Sequence, residues 1–399
     1  MPLALQLVRT RQKLRPPRGA GLWGLFLLWV VLSVVAMDVV PEGTLPPSGG
    51  GRYVAVAARL ANYVAATVVL LYVGNASERV LPRRRVITWM ALLAVWMVAL
   101  GLVSLVLPGA RVPTPLGALL PGGSASAPLA QVQSILGASA PRPAAPFAYT
   151  NIWGYVLSLL LVWVVVGWVV LRSGRGRLLG VGLLVAAVVP LVLSLNRGVW
   201  LGLALAIAYA AVRLALRGKL LAVGALVVVV LVGGGATAAT PLGDVVSARA
   251  DAGHSDSVRE TLARDAVRVA VDSPVLGYGT TRAARGSASS IAVGPSPDCP
   301  QCGSRNIGST GQLWLLLVSQ GMVGAALYFS FFASVLWSAR RDHSAVGIAG
   351  SAVVLLSLYY STIYVALNMP LVITLLSVAL LWRNGRDAST PLVPAAVRP

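Results

Sequence analysis

Long apolar segments alternate with short polar ones along almost the whole chain. The apolar segments cover residues 21–40, 53–74, 86–107, 153–172, 178–195, 198–213, 220–240, 312–338, 344–366 and 371–383. All but the short last segment approach or exceed the roughly 17–25 residues that a helix needs to cross the hydrocarbon of a bilayer. The pattern therefore predicts an all-α fold, a polytopic integral membrane helical bundle of about ten transmembrane helices.

The segments divide the chain into seven parts. In order, these are a basic tail (1–20), N-terminal transmembrane helices (21–107), an external loop (108–152), central transmembrane helices (153–240), a large external loop (241–311), C-terminal transmembrane helices (312–383) and a second tail (384–399). The basic start is similar to that of a signal peptide, but no small-residue cleavage site follows the first apolar segment convincingly. We therefore expect a retained first span.

Composition and charge also indicate a membrane protein. Hydrophobic residues make up 57% of the 399 residues and charged residues only 11%, with a mean hydropathy of +0.80, whereas soluble domains carry about 25% charged residues. The net charge of +20 suggests nucleic acid at first, but the basic clusters alternate with apolar hairpins, as the positive-inside rule requires. We therefore expect a multi-pass plasma-membrane protein with both termini in the cytoplasm and no nucleic-acid partner.

The large external loop, residues 241–311, contains a predicted surface helix. Ser257 and Glu260 fit a capping box, and apolar residues then recur at helical spacing, at positions 258, 262, 266, 269 and 270. We expect a helix from about Ser257 to Asp272 that lies on the membrane surface. Arg264 and Arg268 follow Glu260 by four and eight residues, a spacing that favours ion pairs on a solvated helix face.

The first external loop, residues 108–152, is rich in proline, glycine, alanine and serine. Such a composition cannot bury a core of its own, so we expect a surface loop. Its end is different, because residues 145–154 gather aromatic and amide side chains, among them Tyr149 and Asn151. Two interpretations stay open for this end: contact with a sugar or lipid headgroup, or an interfacial aromatic belt.

Two arginines lie within or between apolar segments, where a charge is costly unless it has a partner. Arg197 lies at the junction of two segments, in Ser194–Trp200, so it is either a functional residue or the interfacial anchor of a hairpin turn. Arg59 lies in the second apolar segment, where it either faces the bundle or snorkels to the outer interface. Its position near the outer end favours snorkelling.

The two cysteines, Cys299 and Cys302, lie in the large external loop. A single Cys-x-x-Cys is half of a zinc site, and no second pair or nearby histidine completes it. Outside the cytoplasm a disulfide is the favoured state of such a pair. The sequence therefore predicts a Cys299–Cys302 disulfide and no metal site.

Four segments together resemble the O-antigen ligase and O-antigen polymerase superfamily of polytopic glycan-transfer enzymes. They are Ser-Leu-Asn-Arg-Gly-Val-Trp-Leu-Gly at 194–202, Pro-Val-Leu-Gly-Tyr-Gly at 274–279 after Arg259, Gln-Gly-Met-Val-Gly at 320–324, and Ala-Pro-Phe-Ala-Tyr-Thr-Asn at 145–151. The resemblance covers roughly residues 145–383. Each motif is weak alone, but their order and their predicted side of the membrane make the set more specific.

The resemblance implies transfer of a glycan from a polyprenyl-diphosphate carrier to an acceptor hydroxyl of a glycan, lipid or protein on the outer face. It implies no metal, nucleotide or other cofactor. Arg197 and Arg259 are the residues expected to stabilise the diphosphate leaving group, because arginine stays cationic and binds phosphate oxygens bidentately. The residues expected to contact the substrate are Tyr149, Asn151, Asn196, Trp200, Arg282 and Gln312.

One departure from the family concerns the general base. The family's histidine–asparagine pair falls on Thr310–Gly311 of this chain, and a threonine hydroxyl titrates far above neutral pH. A base must lie within hydrogen-bond reach of the acceptor hydroxyl. His254, Asp256 and Glu260 are the nearest candidates in sequence, and His254 and Glu260 join the two arginines as catalytic candidates.

Two other classes of protein stay open. A non-catalytic membrane protein that binds a lipid-linked glycan for a partner enzyme fits the missing histidine. A polysaccharide flippase or exporter would need ionisable groups deep in several spans. Apart from Arg59 and Arg197 the apolar segments have almost none, which disfavours ion-coupled transport.

Overall fold

The computed structural model describes residues 15–46, 50–113, 126–135, 138–239, 254–285 and 306–388. Eleven α-helices lie within these ranges. In chain order they are α1 (Ala20–Leu32), α2 (Gly51–Asn75), α3 (Arg83–Val106), α4 (Thr150–Val164), α5 (Arg175–Leu193), α6 (Arg197–Ala215), α7 (Leu220–Ala238), α8 (His254–Asp272), α9 (Gln312–Ala339), α10 (Ala345–Tyr360) and α11 (Met369–Ala388). A 3-10 turn, Ser33–Ala36, extends α1, and a π-helical turn, Val165–Val170, extends α4.

Ten of these helices coincide with the ten apolar segments of the sequence, and the eleventh, α8, is the helix predicted in the large external loop. In the described part of the chain, six helices are long and apolar enough to cross a membrane: α2, α3, α4 with its extension, α5, α6 and α9. The extended α1 and α10 are shorter apolar helices. The prediction of an all-α polytopic membrane protein is therefore confirmed.

Helix α4 forms the centre of the bundle. It packs against α3, α6, α10 and α11, and nearly all of its residues from Trp153 to Val164 are buried. The sequence of α4 is apolar almost throughout, so no polar side chain prevents its burial on every side. The indole of Trp163 still finds a polar partner, because its Nε1 donates to Ser377 Oγ of α11 at 2.9 Å.

A cluster of aromatic rings joins α1, α2 and α9 beside this centre. The ring centroids of Trp23 and Phe331 lie 5.0 Å apart, and those of Phe26 and Tyr63 also lie 5.0 Å apart. Such ring pairs contribute about 0.5–1.5 kcal/mol each beyond the burial of their area. The cluster therefore fixes α1 against both α2 and α9.

The structure corrects the expectation of a plain surface loop at residues 108–152. Strands β1 (Arg111–Pro113) and β2 (Ser126–Pro128) pair antiparallel, as do β3 (Ala130–Ile135) and β4 (Ala138–Pro143). Two paired strands hydrogen-bond to each other through their backbones and need no core of their own. A composition that cannot form a core therefore does not exclude strands. The β3–β4 pair also lies against α3 and α5. A third pair, β5 (Arg282–Ala283) with β6 (Asn306–Ile307), lies in the large external loop.

Helix α8 begins at His254, three residues before its predicted start. Its buried residues are Leu262, Ala266, Val269 and Ala270, which are the predicted apolar face, and the helix packs against α9. Arg264 pairs with Glu260 as expected. Arg268 pairs with Asp265 at 3.4 Å instead of extending that pair. The position of α8 on a membrane surface stays a prediction.

One end of the bundle carries α8, the strand pairs, the tip between α5 and α6 (residues 194–196) and the connection between α10 and α11 (residues 361–368). We call this end the loop end. In the predicted topology it faces outward, and the candidate site lies here.

Candidate functional site

The tip between α5 and α6 is a tight turn that places Arg197 at the start of a helix. Helix α5 ends at Leu193 and α6 begins at Arg197. Leu195 has a φ of 53°, and Asn196 caps α6 because its Oδ1 accepts a hydrogen bond from the N–H of Val199 at 3.3 Å. Asparagine is among the preferred N-cap residues. Arg197 is therefore held, half-buried, as the first residue of α6.

Asn196 is also the centre of a small hydrogen-bonded cluster. Its Nδ2 donates to Oδ1 of Asn151, in the first turn of α4, at 3.2 Å. Its Oδ1 accepts from the hydroxyl of Tyr364, in the connection between α10 and α11. Two predicted site residues, Asn151 and Asn196, are thus brought together. Tyr364 is a third member that the sequence did not suggest.

Gly198 allows this cluster to close. A Cβ atom at Gly198 would lie 2.5 Å from Cδ1 of Ile363 and 2.6 Å from the hydroxyl oxygen of Tyr364. Both distances are shorter than van der Waals contact, so any side chain here would push the α10–α11 connection away from the tip. The glycine after Arg197 is therefore a packing requirement of the site.

Arg142 fixes the tip from the other side. It lies in β4, is only 6% exposed, and its Nε donates to the carbonyl oxygen of Ser194 at 2.6 Å. The sequence alone does not point to this residue, because its place in Pro-Arg-Pro carries no signal of a contact 52 residues away. The β3–β4 pair is thereby tied to the turn that presents Arg197.

The charges of Arg259 and Arg142 both act on Tyr364. Burial raises the pKa of the Tyr364 hydroxyl to about 12, and the positive charges of Arg259 and Arg142 oppose that rise. Arg259 lies half-buried on α8. The structure thus brings Arg259 into electrostatic range of the hydroxyl that bonds Asn196, the residue immediately before Arg197. The two arginines predicted from the sequence therefore flank one cluster.

Trp200 and Tyr149 lie near this cluster; Trp200 is hydrogen-bonded within the protein and Tyr149 is exposed. The indole Nε1 of Trp200 donates to the carbonyl oxygen of Leu191 at 3.0 Å, which links the two helices of the hairpin. Tyr149 precedes α4 and is 59% exposed. Its ring is therefore available to a ligand or to lipid at the loop end.

Two other predicted substrate contacts have side chains that are occupied within the fold. Gln312 is fully buried, its Nε2 donates to the hydroxyl of Tyr63 at 2.9 Å, and its Oε1 accepts from the N–H of Ala366 at 3.1 Å. Arg282 is 2% exposed and donates to backbone carbonyls, including that of Met37 at 2.8 Å. Burial lowers the pKa of Arg282. Both residues hold the loop end together.

The candidates for the general base are placed unequally. The carboxylate of Glu260 is exposed and paired with Arg264. His254 is the first residue of α8, and the side chains of His254 and Asp256 lie outside the described residues. Thr310, at the family's histidine position, has a buried hydroxyl without a hydrogen-bond partner in the part of the chain that the structure describes.

The other two motif segments, 274–279 and 320–324, also contact each other directly. Helix α9 is interrupted at Gly321, where φ is 67° and ψ is −172°. The segment 274–279 fills the gap: the N–H of Met322 donates to the carbonyl of Pro274 at 2.6 Å, and the N–H of Gly279 donates to the carbonyl of Ser319 at 2.7 Å. The break in α9 thus receives the segment 274–279.

The structure also corrects the snorkelling expected for Arg59. Its side chain is half-buried and turns to the bundle, where Nη1 lies 3.4 Å from Ser319 Oγ of α9. Ser319 lies two residues before the break at Gly321. Its hydroxyl gives the Arg59 guanidinium a polar partner at this depth of the bundle. Arg59 therefore belongs to the interior of the bundle.

The predicted Cys299–Cys302 disulfide lies outside the described residues and stays a prediction. The described ranges contain no group of three or more histidine, cysteine, aspartate or glutamate side chains that could hold a metal ion. The arrangement offers guanidinium groups, amides and hydroxyls, which are ligands for phosphate and sugar oxygens.

A comparison with protein-family models finds one match on this chain. Residues 182–329 match the model described as O-antigen ligase. The matched range begins in α5, includes the tip, Arg197 and Arg259, and ends in α9 beyond the break at Gly321. Arg142, Asn151 and Tyr364 lie outside it. No curated protein sequence matches the chain.

Proposed function

We propose, from the match of residues 182–329 to the O-antigen ligase model, that the chain transfers a glycan from a polyprenyl-diphosphate carrier to an acceptor hydroxyl. As an O-antigen ligase-like membrane protein of polysaccharide biosynthesis, it works on substrates at a bilayer surface. The observation that supports the proposal is that Arg197 directly follows Asn196, whose partner Tyr364 lies within the electrostatic range of Arg259.

The chemistry of the transfer explains why arginines are needed. The acceptor oxygen attacks the anomeric carbon of the glycan, and the bond from that carbon to the diphosphate oxygen breaks with both electrons leaving on the diphosphate. Negative charge therefore grows on the carrier in the transition state. Guanidinium groups that are already in place stabilise this charge without reorganisation, and each can bind two phosphate oxygens. We assign these roles to Arg197 and Arg259.

The remaining site residues take supporting roles in this proposal. Tyr149, Asn151 and Trp200 surround the tip and offer ring faces and polar atoms to the sugar. Arg282 and Gln312 act by holding the loop end, since the Nη atoms of Arg282 and the side-chain amide of Gln312 are already bonded within the protein. The acceptor proton passes to a base on the first two turns of α8, for which His254 is the candidate with a suitable intrinsic pKa. Glu260 is held by Arg264.

A cell-surface glycan profile tests the proposed function. A strain lacking the protein is expected to accumulate the lipid-linked glycan and to lose one surface glycan species. Complementation with the unchanged chain should restore it, and complementation with the Arg197→Ala variant at equal expression should not. An unchanged glycan profile in the deletion strain contradicts the proposal.

A second function is supported by one specific feature. Thr310 stands where the family has a histidine, so a protein that binds the lipid-linked glycan for a partner enzyme remains a competing proposal. It predicts that the purified chain binds the donor but transfers nothing on its own. Transfer by the purified chain alone would exclude it.

A further inference from the structure

Arg59 is a charged residue well inside a membrane-length helix. It is the ninth residue of α2 (Gly51–Asn75), about 12 Å along the axis from the first residue at 1.5 Å per residue. Its guanidinium turns to α9 and makes a long contact, 3.4 Å from Nη1 to Ser319 Oγ. A neutral hydroxyl at this distance contributes little toward balancing a full positive charge.

The described residues supply no carboxylate to Arg59. None of the ion pairs among the described residues involves Arg59. By contrast, Arg52, seven residues earlier on the same helix, has its Nη2 2.8 Å from Oδ1 of Asp38. A buried charge without a counter-ion is costly, and within a membrane such residues face the bundle interior and bind something there. The anion that balances Arg59 is therefore expected to come from a ligand.

A chain of hydrogen bonds leads from Tyr63, four residues after Arg59, toward the candidate site. Tyr63, one turn later on α2, accepts a hydrogen bond from Gln312 at 2.9 Å. The N–H of Gln312 donates to the carbonyl of Tyr364 at 2.9 Å. Tyr364 in turn bonds Asn196, which precedes Arg197. A ligand at Arg59 would thus lie on the α2–α9 side of the same assembly.

We propose that Arg59 forms a phosphate subsite for the lipid-linked donor, on the side of the bundle between α2 and α9. The inference rests on the proposed function in taking a polyprenyl diphosphate as the donor carrier. Phosphate groups of such a lipid lie at the edge of the hydrocarbon. Arg59 lies in the first half of α2, which is the half nearer the loop end. The planar guanidinium binds two phosphate oxygens and is less strongly hydrated than an ammonium group.

Binding of the bare carrier tests the subsite. The full chain is placed in phosphatidylcholine nanodiscs, and its affinity for a polyprenyl diphosphate without a glycan is measured. Arg59→Gln is expected to weaken binding tenfold or more, and Arg59→Lys at least threefold, because lysine keeps the charge but loses the fork. Arg52→Gln is the matched control, since Arg52 already has Asp38, and it should stay within twofold of the unchanged chain.

Three outcomes would overturn the inference. The first is Arg59→Gln binding the carrier within twofold of the unchanged chain. The second, measured in nanodiscs that also contain phosphatidylglycerol, is Arg59→Gln losing bound phosphatidylglycerol while keeping its affinity for the carrier, which would assign the residue to a phospholipid headgroup. The third is an equal loss in the Arg52→Gln control. If Arg59→Gln fails to fold, as judged by size exclusion and thermal unfolding, the Arg59→Lys variant decides by its threefold criterion.

The same experiment separates this inference from the proposed function. If carrier binding depends on Arg59 but the chain transfers no glycan, the subsite is supported and the enzymatic function is contradicted. If glycan transfer depends on Arg197 and Arg259 but Arg59→Gln binds the carrier normally, the enzymatic function is supported and the subsite is contradicted.

Discussion

At the scale of single residues, the site depends on contacts that no sequence spacing reveals. Arg197 and Arg259 could be predicted because each lies in a motif. Tyr364, which bonds Asn196, could not, since it is 168 residues from Asn196 and lies at the end of an apolar segment that the pattern assigns to a span. Arg142 was missed for the same reason. Side-chain partners at long range depend on how the helices pack, and one sequence carries no pattern for that.

Gly198 gives the first residue-scale prediction. Gly198→Ala adds a methyl group 2.5 Å from Ile363, so the α10–α11 connection must move, at a cost of about 1–3 kcal/mol for an overpacked contact. Thermal unfolding in detergent should show a lower midpoint than for the unchanged chain. Gly182→Ala is the control, because no atom lies within 4 Å of the added methyl group there. A midpoint lowered equally by both substitutions contradicts the packing argument.

The cysteine pair gives a second residue-scale prediction. Cys299 and Cys302 are expected to form a disulfide in protein purified from the membrane, because an oxidising compartment favours it and no further zinc ligands lie nearby in the sequence. Intact-mass analysis without reductant should find the chain two hydrogen atoms lighter than after reduction. Stoichiometric zinc with free thiols would show that the prediction is wrong.

At the scale of elements, helices were predictable and their interruptions were not. Ten apolar segments became ten helices because backbone groups in hydrocarbon must bond within their own segment. The strands of residues 111–143 escaped prediction, since a ladder needs only a partner strand and little apolar pattern. The break in α9 escaped as well. The break depends on the segment 274–279, whose backbone makes the hydrogen bonds that residues of an uninterrupted helix would make with one another.

The break gives the element-scale prediction. Gly321→Ala is expected to destabilise the protein by about 1–3 kcal/mol, because its φ and ψ lie in a region that is essentially limited to glycine. The added methyl group would also lie 2.6 Å from the carbonyl oxygen of Pro274. Expression and thermal unfolding measure the effect, with Gly24→Ala on α1, which has open space around it, as the control. Equal stability of Gly321→Ala and Gly24→Ala would contradict the account of the break.

At the scale of the whole molecule, the sequence predicts which end faces outward, and the bundle agrees in grouping the site residues at one end. The tip, α8, the strand pairs and the α10–α11 connection all lie at the loop end. The basic clusters of the sequence lie toward the other end. The outward direction itself rests on the positive-inside rule, because the bundle alone has no preferred direction in a bilayer.

Cysteine labelling in intact cells tests this orientation. In a chain whose own cysteines are replaced by serine, single cysteines introduced at Ser124 and Ser287 are expected to react with a membrane-impermeant thiol reagent. A cysteine at Ser173, between α4 and α5, should react only after the cells are opened. Labelling at position 173 together with protection at position 287 would reverse the topology and remove the basis for a site on the outer face.

The central claim is that Arg197 and Arg259 stabilise a diphosphate leaving group, and glycan transfer by purified variants tests it most directly. With lipid-linked glycan extracted from the deletion strain as donor, Arg197→Ala and Arg259→Ala should each lower the transfer rate about 100-fold or more, the scale of about 3 kcal/mol for one lost transition-state donor. Arg→Lys at either position should restore only part of the rate.

Arg264 and Arg268 are the internal controls for that measurement, because their ion pairs lie on an exposed helix face, where such pairs contribute about 0–1 kcal/mol. Their alanine variants should therefore transfer within about fivefold of the unchanged chain. The result that contradicts the account is near-normal transfer by both Arg197→Ala and Arg259→Ala, or equal losses at all four positions.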